Sequence, residues 1–292
     1  MGFQFTGFSD EASQDLGDQI NVLKTVGWTG IELRGVNGTN VCDLSVEDWQ
    51  RTLDRLRESK IDVVGFGGQI ANWARPIDGD FQKDIDELQR CAPRMLDAGT
   101  NLIRIMSYPN SSDSPLARED WRAETIKRLS ELAKMAEDLG VVLGHENCSG
   151  YGGIGPNEYL DLVASIDSPA FKLIFDTGNN SLHDNDINAT WTYYEACRDE
   201  IIHVHIKSAK PGDDGKLIAS YPDEDPNQAR ILADLAERGY NGWISIEPHL
   251  AAQVHLGETA AGDAATNIWV EYANRIEMLA AEAQTWQTHA AS

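Results

Sequence analysis

Cysteines are few in this sequence, and they are scattered. Cys42, Cys91, Cys148 and Cys197 lie far apart and none falls in a C-x-x-C pair, so nothing in their spacing asks for an oxidising compartment. A reducing cytoplasm is the expected location. Long apolar runs are missing too: none approaches the ~20 residues of a membrane span, and no secretory signal pattern opens the chain. The opening MGFQFT fits the loose N-myristoylation pattern, but Phe3 and Phe5 read better as the start of a buried first strand. Basic side chains are in the minority, 24 against 47 acidic ones, for a formal net charge of −23. Affinity for nucleic acid depends on neutralising phosphates with Lys and Arg, so this field disfavours a DNA or RNA partner. The acidity is expected to serve solubility. No G-x-x-x-x-G-K-S/T loop occurs, which leaves a nucleotide cofactor without support.

There is also no low-complexity tract and no polar, proline-rich linker. A chain of 292 residues, 41% hydrophobic, is therefore either two modest domains or one large barrel. At this size about three quarters of the unfolded surface can be buried, so a metal would serve function rather than hold the fold.

Short β-type runs alternate with longer segments of helical period, and the alternation repeats eight times. The strand candidates span 3–8, 30–34, 61–66, 102–107, 141–146, 172–176, 201–207 and 243–247, with amphipathic segments such as 44–60 and 121–140 between them. Glycine stands between helix and strand in VGWTGIEL, AGTNLIRI, LGVVLGHE and RGYNGWISIE, where a left-handed C-cap suits it. This pattern predicts a single (β/α)8 barrel domain over 1–292. A last helix is expected over roughly 263–285, with a tail at 284–292 that frays or packs on another subunit; a homo-oligomer is left open.

In such a barrel the active site lies at the C-terminal ends of the strands. Strand five ends in Glu146, strand six in Asp176 and strand eight in Glu247, while strand seven brings His205 and Lys207 near its end. Alternation puts His203, His205 and Lys207 on one face and Ile202, Val204 and Ile206 on the other, so the polar set points into the barrel if the isoleucines pack on helices. A single strand-end carboxylate is more often a cap or a surface ion pair; four ligand types at equivalent ends of adjacent strands are harder to dismiss. Three carboxylates and one imidazole suit one divalent ion with open positions, Mn²⁺ before Mg²⁺, with Co²⁺ or Zn²⁺ as alternatives.

The segments LGHEN, FDTGN, HVHIK and SIEPH, in this order and spacing, resemble the metal-site motifs of the sugar phosphate isomerase/epimerase superfamily. These are xylose-isomerase-like TIM barrels that include ketose 3-epimerases and, more distantly, endonuclease IV. The resemblance covers nearly the whole chain. It implies that Glu146, Asp176, His205 and Glu247 bind the ion and that Glu146 and Glu247 form the acid/base pair. A metal chelating a ketose carbonyl and the neighbouring hydroxyl would acidify the intervening C–H and stabilise an enediolate. Two carboxylates could then remove a proton on one side and return it on the other or at the adjacent carbon. The implied activity is that of a sugar isomerase or epimerase. A lyase expelling an aglycone from a 3-oxo-sugar, as the large subunits of C-glycoside deglycosidases do, is the alternative. A barrel that binds metal or sugar without turnover is a further one. The DNA-repair relatives need more ligands and a basic surface, which this chain does not offer.

The sequence departs from the ketose 3-epimerase pattern at two places. Asn179 stands three residues after Asp176, where those enzymes usually have histidine, and His145 directly precedes Glu146. His145 is read as an orienting residue of the site, a catalytic base or a structural residue; parity points it away from the pore. Lys207 is a candidate to polarise a carbonyl, or else pairs with Glu247 or Glu32. Glu32, Arg34, Gln69, Trp73, Asn179 and His249 are the candidate contacts for a small carbohydrate or polyol, whereas Asp10 and Glu11 are candidate caps of the first helix. Arg34, Arg75 and Lys210 are the basic residues from which a phosphate site would have to be built. The glycines of CSGYGGIGP are expected to let backbone approach a ligand and to let the loop move.

Overall fold

The structure is a computed structural model that describes residues 2–251 and the helix from Gly262 to Ala290, with side chains in that helix described as far as Ala283. Eight parallel strands form the barrel: β1 (Gln4–Gly7), β2 (Gly30–Leu33), β3 (Asp62–Phe66), β4 (Leu102–Ser107), β5 (Val142–Gly150), β6 (Phe171–Asp176), β7 (Ile201–Ile206) and β8 (Trp243–Ile246). Each ladder joins consecutive strands, from β2 through β8, and β8 pairs with β1. Strands β1 and β2 stand side by side without sharing a ladder, so the barrel is nearly closed.

Helices α1 (Leu16–Thr25), α2 (Val46–Ser59), α3 (Gln82–Asp97), α4 (Arg118–Leu139), α5 (Pro156–Ile166), α6 (Asn179–Asp184), α7 (Ala189–Cys197), α8 (Pro226–Glu237) and α9 (Gly262–Ala290) surround the barrel. Local chemistry sets their limits. The Ser45 side chain accepts from Asp48 N at the start of α2, and Asp15 accepts from Gly17 N and Asp18 N at the start of α1, satisfying amides the helix itself leaves unpaired. Asp10 and Glu11, expected to cap that helix, instead lie in a buried 3-10 turn after β1. The four glycines between helix and strand, Gly27, Gly99, Gly140 and Gly239, all have φ between 72° and 83°. Helix α9 runs to Ala290, beyond the point where the sequence suggests a tail.

The core lies between the strands and the helices. Ile31, Leu33, Val204, Ile206, Ile244 and Ile246 are fully buried there, each such side chain contributing about 1.5–3 kcal/mol. The alternate residues face the pore, and they are strongly polar: Glu32, Arg104, Glu146, Asp176, His203, His205 and Ser245 are all buried. Strand β5 is longer than the sequence suggests. It runs past Glu146 to Gly150, with a register shift against β4 that pairs Ser107 with Gly150. A Cβ at Gly150, whose φ is 85°, would sit 2.2 Å from the Ser107 carbonyl carbon, and one at Gly152 would meet the His145 ring at 2.8 Å. These glycines of the CSGYGGIGP loop therefore serve its packing on β4 and on His145.

Candidate metal centre

The rim of the barrel gathers its ligand types because Asp176 ends β6 opposite His205 on β7, Glu247 follows β8, and Glu146 stands within β5. Ligand atoms of Glu146, Asp176, His205 and Glu247 all lie within 4.8 Å of one another, and all four residues are buried. Glu146 Oε2, Asp176 Oδ2 and Glu247 Oε2 accept no hydrogen bond. Three buried carboxylate oxygens converging in this way, beside one imidazole, are the donor set a divalent ion takes; the residues fit the metal expected from the sequence.

Neighbouring groups orient each ligand. Asp176 Oδ1 accepts from the amides of Gly178 and Asn179, both at 2.8 Å, which leaves Oδ2 for the centre. The Asp176 backbone is clamped by Asn147, whose Oδ1 accepts from Asp176 N at 2.7 Å and whose Nδ2 donates to Asp176 O at 2.9 Å. His205 Nε2 lies 3.1 Å from both Glu32 oxygens, and its Nδ1 faces Glu146 Oε1 at 3.3 Å. Glu32 also meets His203 Nε2 at 2.8 Å. Glu32 is thus not a rim contact for a polyol; it lies within the barrel and holds the imidazole that carries Nδ1 toward the centre, the usual arrangement behind a metal-bound histidine.

Cations balance the carboxylates. Lys207 Nζ is 3.2 Å from Asp176 Oδ2, 3.0 Å from Glu247 Oε2 and 2.9 Å from Asn179 Oδ1. Arg34 binds Asp10 through two nitrogens at 2.9 Å, Glu247 at 2.6 Å and Glu11 at 3.2 Å. Arg104 Nη1 is 3.5 Å from Glu146 Oε2, and both guanidinium groups lie over the Phe8 ring. The protonation balance follows. Burial drives Asp176 up to about 6 against the opposing charge of Lys207. Burial acts the same way on Glu146, but Arg104 and the His205 hydrogen bond reverse it and hold the group at about 2. Burial favours neutral His205, and Glu32 with Glu146 overcomes this to raise it to about 10. Lys207 is held above its ordinary value by Asp176 and Glu247 in spite of burial.

The remaining sequence candidates divide. Asn179 belongs to the centre, donating from Nδ2 to Glu146 Oε1 at 3.2 Å. His249 is at the rim in a left-handed conformation, φ 52°, with its amide bonded to Glu11 Oε2 at 2.9 Å and Nε2 3.3 Å from Glu247 Oε1. A non-glycine residue held there marks a position fixed by its surroundings. Trp73 lines the cavity above the centre, and Gln69 lines a neighbouring one that shares Trp73. His145 is not brought to the centre: its ring packs between Tyr159 and Phe171 in the outer layer, and Nε2 meets Ser107 Oγ at 3.0 Å. Burial pushes it down to about 4, a neutral core histidine. Glu11, Asp10 and Arg104 are functional-site residues that the strand-end rule missed. The same rule applied to strand one would have reached Asp10 and Glu11, which follow β1, but not Arg104, which lies in the middle of β4.

The sequence pattern of the xylose isomerase-like TIM barrel family matches residues 20–268. The chain belongs to that family. Among curated relatives of this barrel, the rhizopine catabolism protein MocC of Rhizobium meliloti is 26% identical over 249 residues, 78% of this chain and 73% of MocC. The uncharacterized protein MJ1311 of Methanocaldococcus jannaschii is 34% identical over 125 residues, and that match spans 41% of each chain. Solved barrels of the same fold include an L-ribulose 3-epimerase (TM-score 0.71, 16% identity, 100% of this chain and 99% of that one). The probable 3-DHS dehydratase AsbF of Bacillus anthracis is similar as well (TM-score 0.67, 17% identity, 96% and 98%). So is a xylose isomerase-like barrel of Mycobacterium smegmatis in complex with magnesium (TM-score 0.69, 16% identity, 97% and 98%). No helix among the described residues is long and apolar enough to cross a membrane.

Proposed function

We propose that the protein is a divalent-metal-dependent enzyme that moves a proton at a carbon next to a carbonyl in a small carbohydrate or polyol derivative, as an isomerase or epimerase. The observation that carries this reading is the convergence of three buried carboxylate oxygens without hydrogen bonds, one each from Glu146, Asp176 and Glu247, with the ammonium group of Lys207 beside the last two. Binding alone needs no such density of ionised groups, whereas proton transfer does.

Glu146, Asp176, Glu247 and His205 Nδ1 would hold the ion, whose chemistry is Lewis-acid polarisation of the substrate carbonyl. Glu146 and Glu247 approach from β5 and from beyond β8, non-adjacent parts of the rim. One carboxylate removes the proton. The other returns it, to the opposite face for epimerisation or to the neighbouring carbon for aldose–ketose isomerisation. Lys207 stays protonated and offers a fixed cation to the oxygen on which negative charge develops. Asn179 cannot titrate; it holds Glu146 and Lys207 in register. The runner-up is β-elimination from a 3-oxo-sugar, which shares proton abstraction and differs only in the loss of a leaving group. The likeness to a probable dehydratase supports keeping it.

The test is hydrogen exchange. Metal-loaded protein is incubated in D₂O with ketoses, polyol ketones and 3-oxo-glucosides, and the C–H signals are followed by NMR after the metal is removed. Deuterium next to the carbonyl with the skeleton intact supports the isomerase, and release of an aglycone or water supports the lyase. No exchange in any of them, with metal bound, refutes both.

A further inference from the structure

Beside the lobe above the carboxylates lies a second one, and the two share Trp73 and Arg104 as lining. The larger lobe, about 560 Å³, contains Glu146, Lys207 and Glu247; the smaller, about 280 Å³, is lined by Asp10, Gln14, Asn40, Gln69 and Asn72, and Trp73 and Arg104 line both. The smaller lobe alone approaches the lower limit of ordinary ligand pockets, about 300 Å³.

Its wall is built rather than incidental. Ala71 is held left-handed at φ 56°, with its amide on Asp84 Oδ1 at 3.3 Å and its carbonyl accepting from Tyr108 N at 2.9 Å. Gln69 N donates to Glu87 Oε1 at 2.7 Å, and Arg75 ties the buried Asp84 and Glu87 together. These bonds fix the segment that carries Gln69, Asn72 and Trp73 without using the side-chain NH2 group of Gln69 or of Asn72. Asn72, only 4% exposed, spends Oδ1 on Ala74 N at 3.0 Å, and its Nδ2 has no partner among the described residues. The side-chain amide of Gln69 has none either, and Arg104 Nε is buried without a hydrogen bond.

The charges around this lobe weigh against a phosphate cradle, since Arg104, the one guanidinium lining it with a nitrogen left over among the described residues, already faces Glu146. Arg34 is held by Asp10, Glu11 and Glu247, Arg75 by Asp84 and Glu87, and Lys210 by Glu224, while Asp10 itself faces the lobe. Neutral amide donors beside a paired carboxylate match hydroxyl groups.

We propose that the smaller lobe is a second sugar subsite, so that the substrate is an uncharged two-unit molecule, a glycoside or disaccharide-sized ketone. Its reacting unit lies over Glu146 and Glu247, and a hydroxylated unit is held by Gln69 and Asn72. This rests on the carbonyl chemistry proposed above and names its substrate class. The test is calorimetric titration of the full-length, Mg²⁺-loaded protein with D-fructose, D-fructose 6-phosphate and the glucosyl-fructoses turanose, leucrose and isomaltulose. At least one glucosyl-fructose is expected to bind about tenfold tighter than fructose, equivalent to about 1.4 kcal/mol, and the phosphate ester no tighter. Asn72→Asp keeps the acceptor for Ala74 and removes the donor, and Gln69→Glu does the same for its amide; each is expected to reduce the glucosyl-to-free ratio at least threefold. The proposal is overturned if no glucosyl-fructose exceeds fructose, if the phosphate ester binds tightest, or if the ratio is unchanged in both variants. Deuterium exchange separates the two readings. Exchange with free ketoses and no glucosyl gain removes the subsite alone; a gain lost in the variants, without exchange in any sugar, leaves the subsite and removes the chemistry.

Discussion

Replacing Lys207 by methionine tests the electrostatics of the centre without touching a proposed metal ligand. Lys207 is only 3% exposed, and its ammonium group stands 3.0 Å and 3.2 Å from two carboxylate oxygens that have no hydrogen bond. Removing one partner of a buried ion pair costs about 3–5 kcal/mol, because the other charge is left uncompensated. Protonation of Asp176, already at about 6, holds the cost toward the lower end. At about 2–4 °C per kcal/mol for a domain approaching this size, the variant melts about 6–15 °C below the wild type in EDTA. The Lys207 charge repels a divalent ion facing the same oxygens, so the variant binds the ion more tightly and regains stability when Mn²⁺ is added. The assay is thermal unfolding followed by circular dichroism, in EDTA and over a Mn²⁺ series. Equal melting of both proteins in EDTA, or an equal Mn²⁺-induced shift, refutes the reasoning.

Other perturbations separate the roles of the remaining residues. Glu146→Gln and Glu247→Gln each lower turnover of the true substrate about 10²–10⁴-fold, the range of general acid–base catalysis; full turnover in both ends the acid/base assignment. Glu32→Gln weakens metal affinity about 10–100-fold by releasing the His205 ring, measurable by metal titration. His145→Ala leaves metal content unchanged and turnover within a few-fold, yet costs about 3 kcal/mol in chemical denaturation because a fully buried ring is deleted; lost turnover in folded, metal-loaded variant sinks the structural reading. Asp176 has a folded pKa, about 6, above its ordinary 3.8, so the metal-free fold takes up its proton more readily than the unfolded chain. The EDTA-treated wild type therefore gains stability relative to Asp176→Asn as pH falls from about 7 to 4. Glu146, at about 2 against an ordinary 4.5, has the opposite sign, with stability present above 4.5 and lost toward 2. A flat difference between wild type and Asp176→Asn over pH 7 to 4 contradicts the first assignment.

Much of this protein is legible without coordinates. The eightfold alternation of β-type and helical runs determines the barrel, because each period admits only one regular backbone and a glycine marks four of the changes from helix to strand. The rule that barrel chemistry sits at strand ends then isolates Glu146, Asp176, His205 and Glu247 from 47 acidic side chains and seven histidines. Parity on β7 directs His203 and His205 inward. Parity on β5 points His145 outward, yet its place beside Glu146 keeps it among the catalytic candidates; its packing between Tyr159 and Phe171 is what removes it from the centre. Tertiary structure alone decided the partnerships. Glu32 meets His203 and His205 across 171 and 173 positions, and Arg34 meets Glu247 across 213, distances along the chain over which no local pattern carries information. It also decided the purpose of the glycine loop, since the 2.2 Å approach of Gly150 to Ser107 depends on a register shift between two strands. The second lobe is the furthest from the sequence: Gln69 and Asn72 acquire meaning only where the Asp84, Glu87 and Arg75 network fixes their backbone and leaves their side-chain NH2 groups unspent.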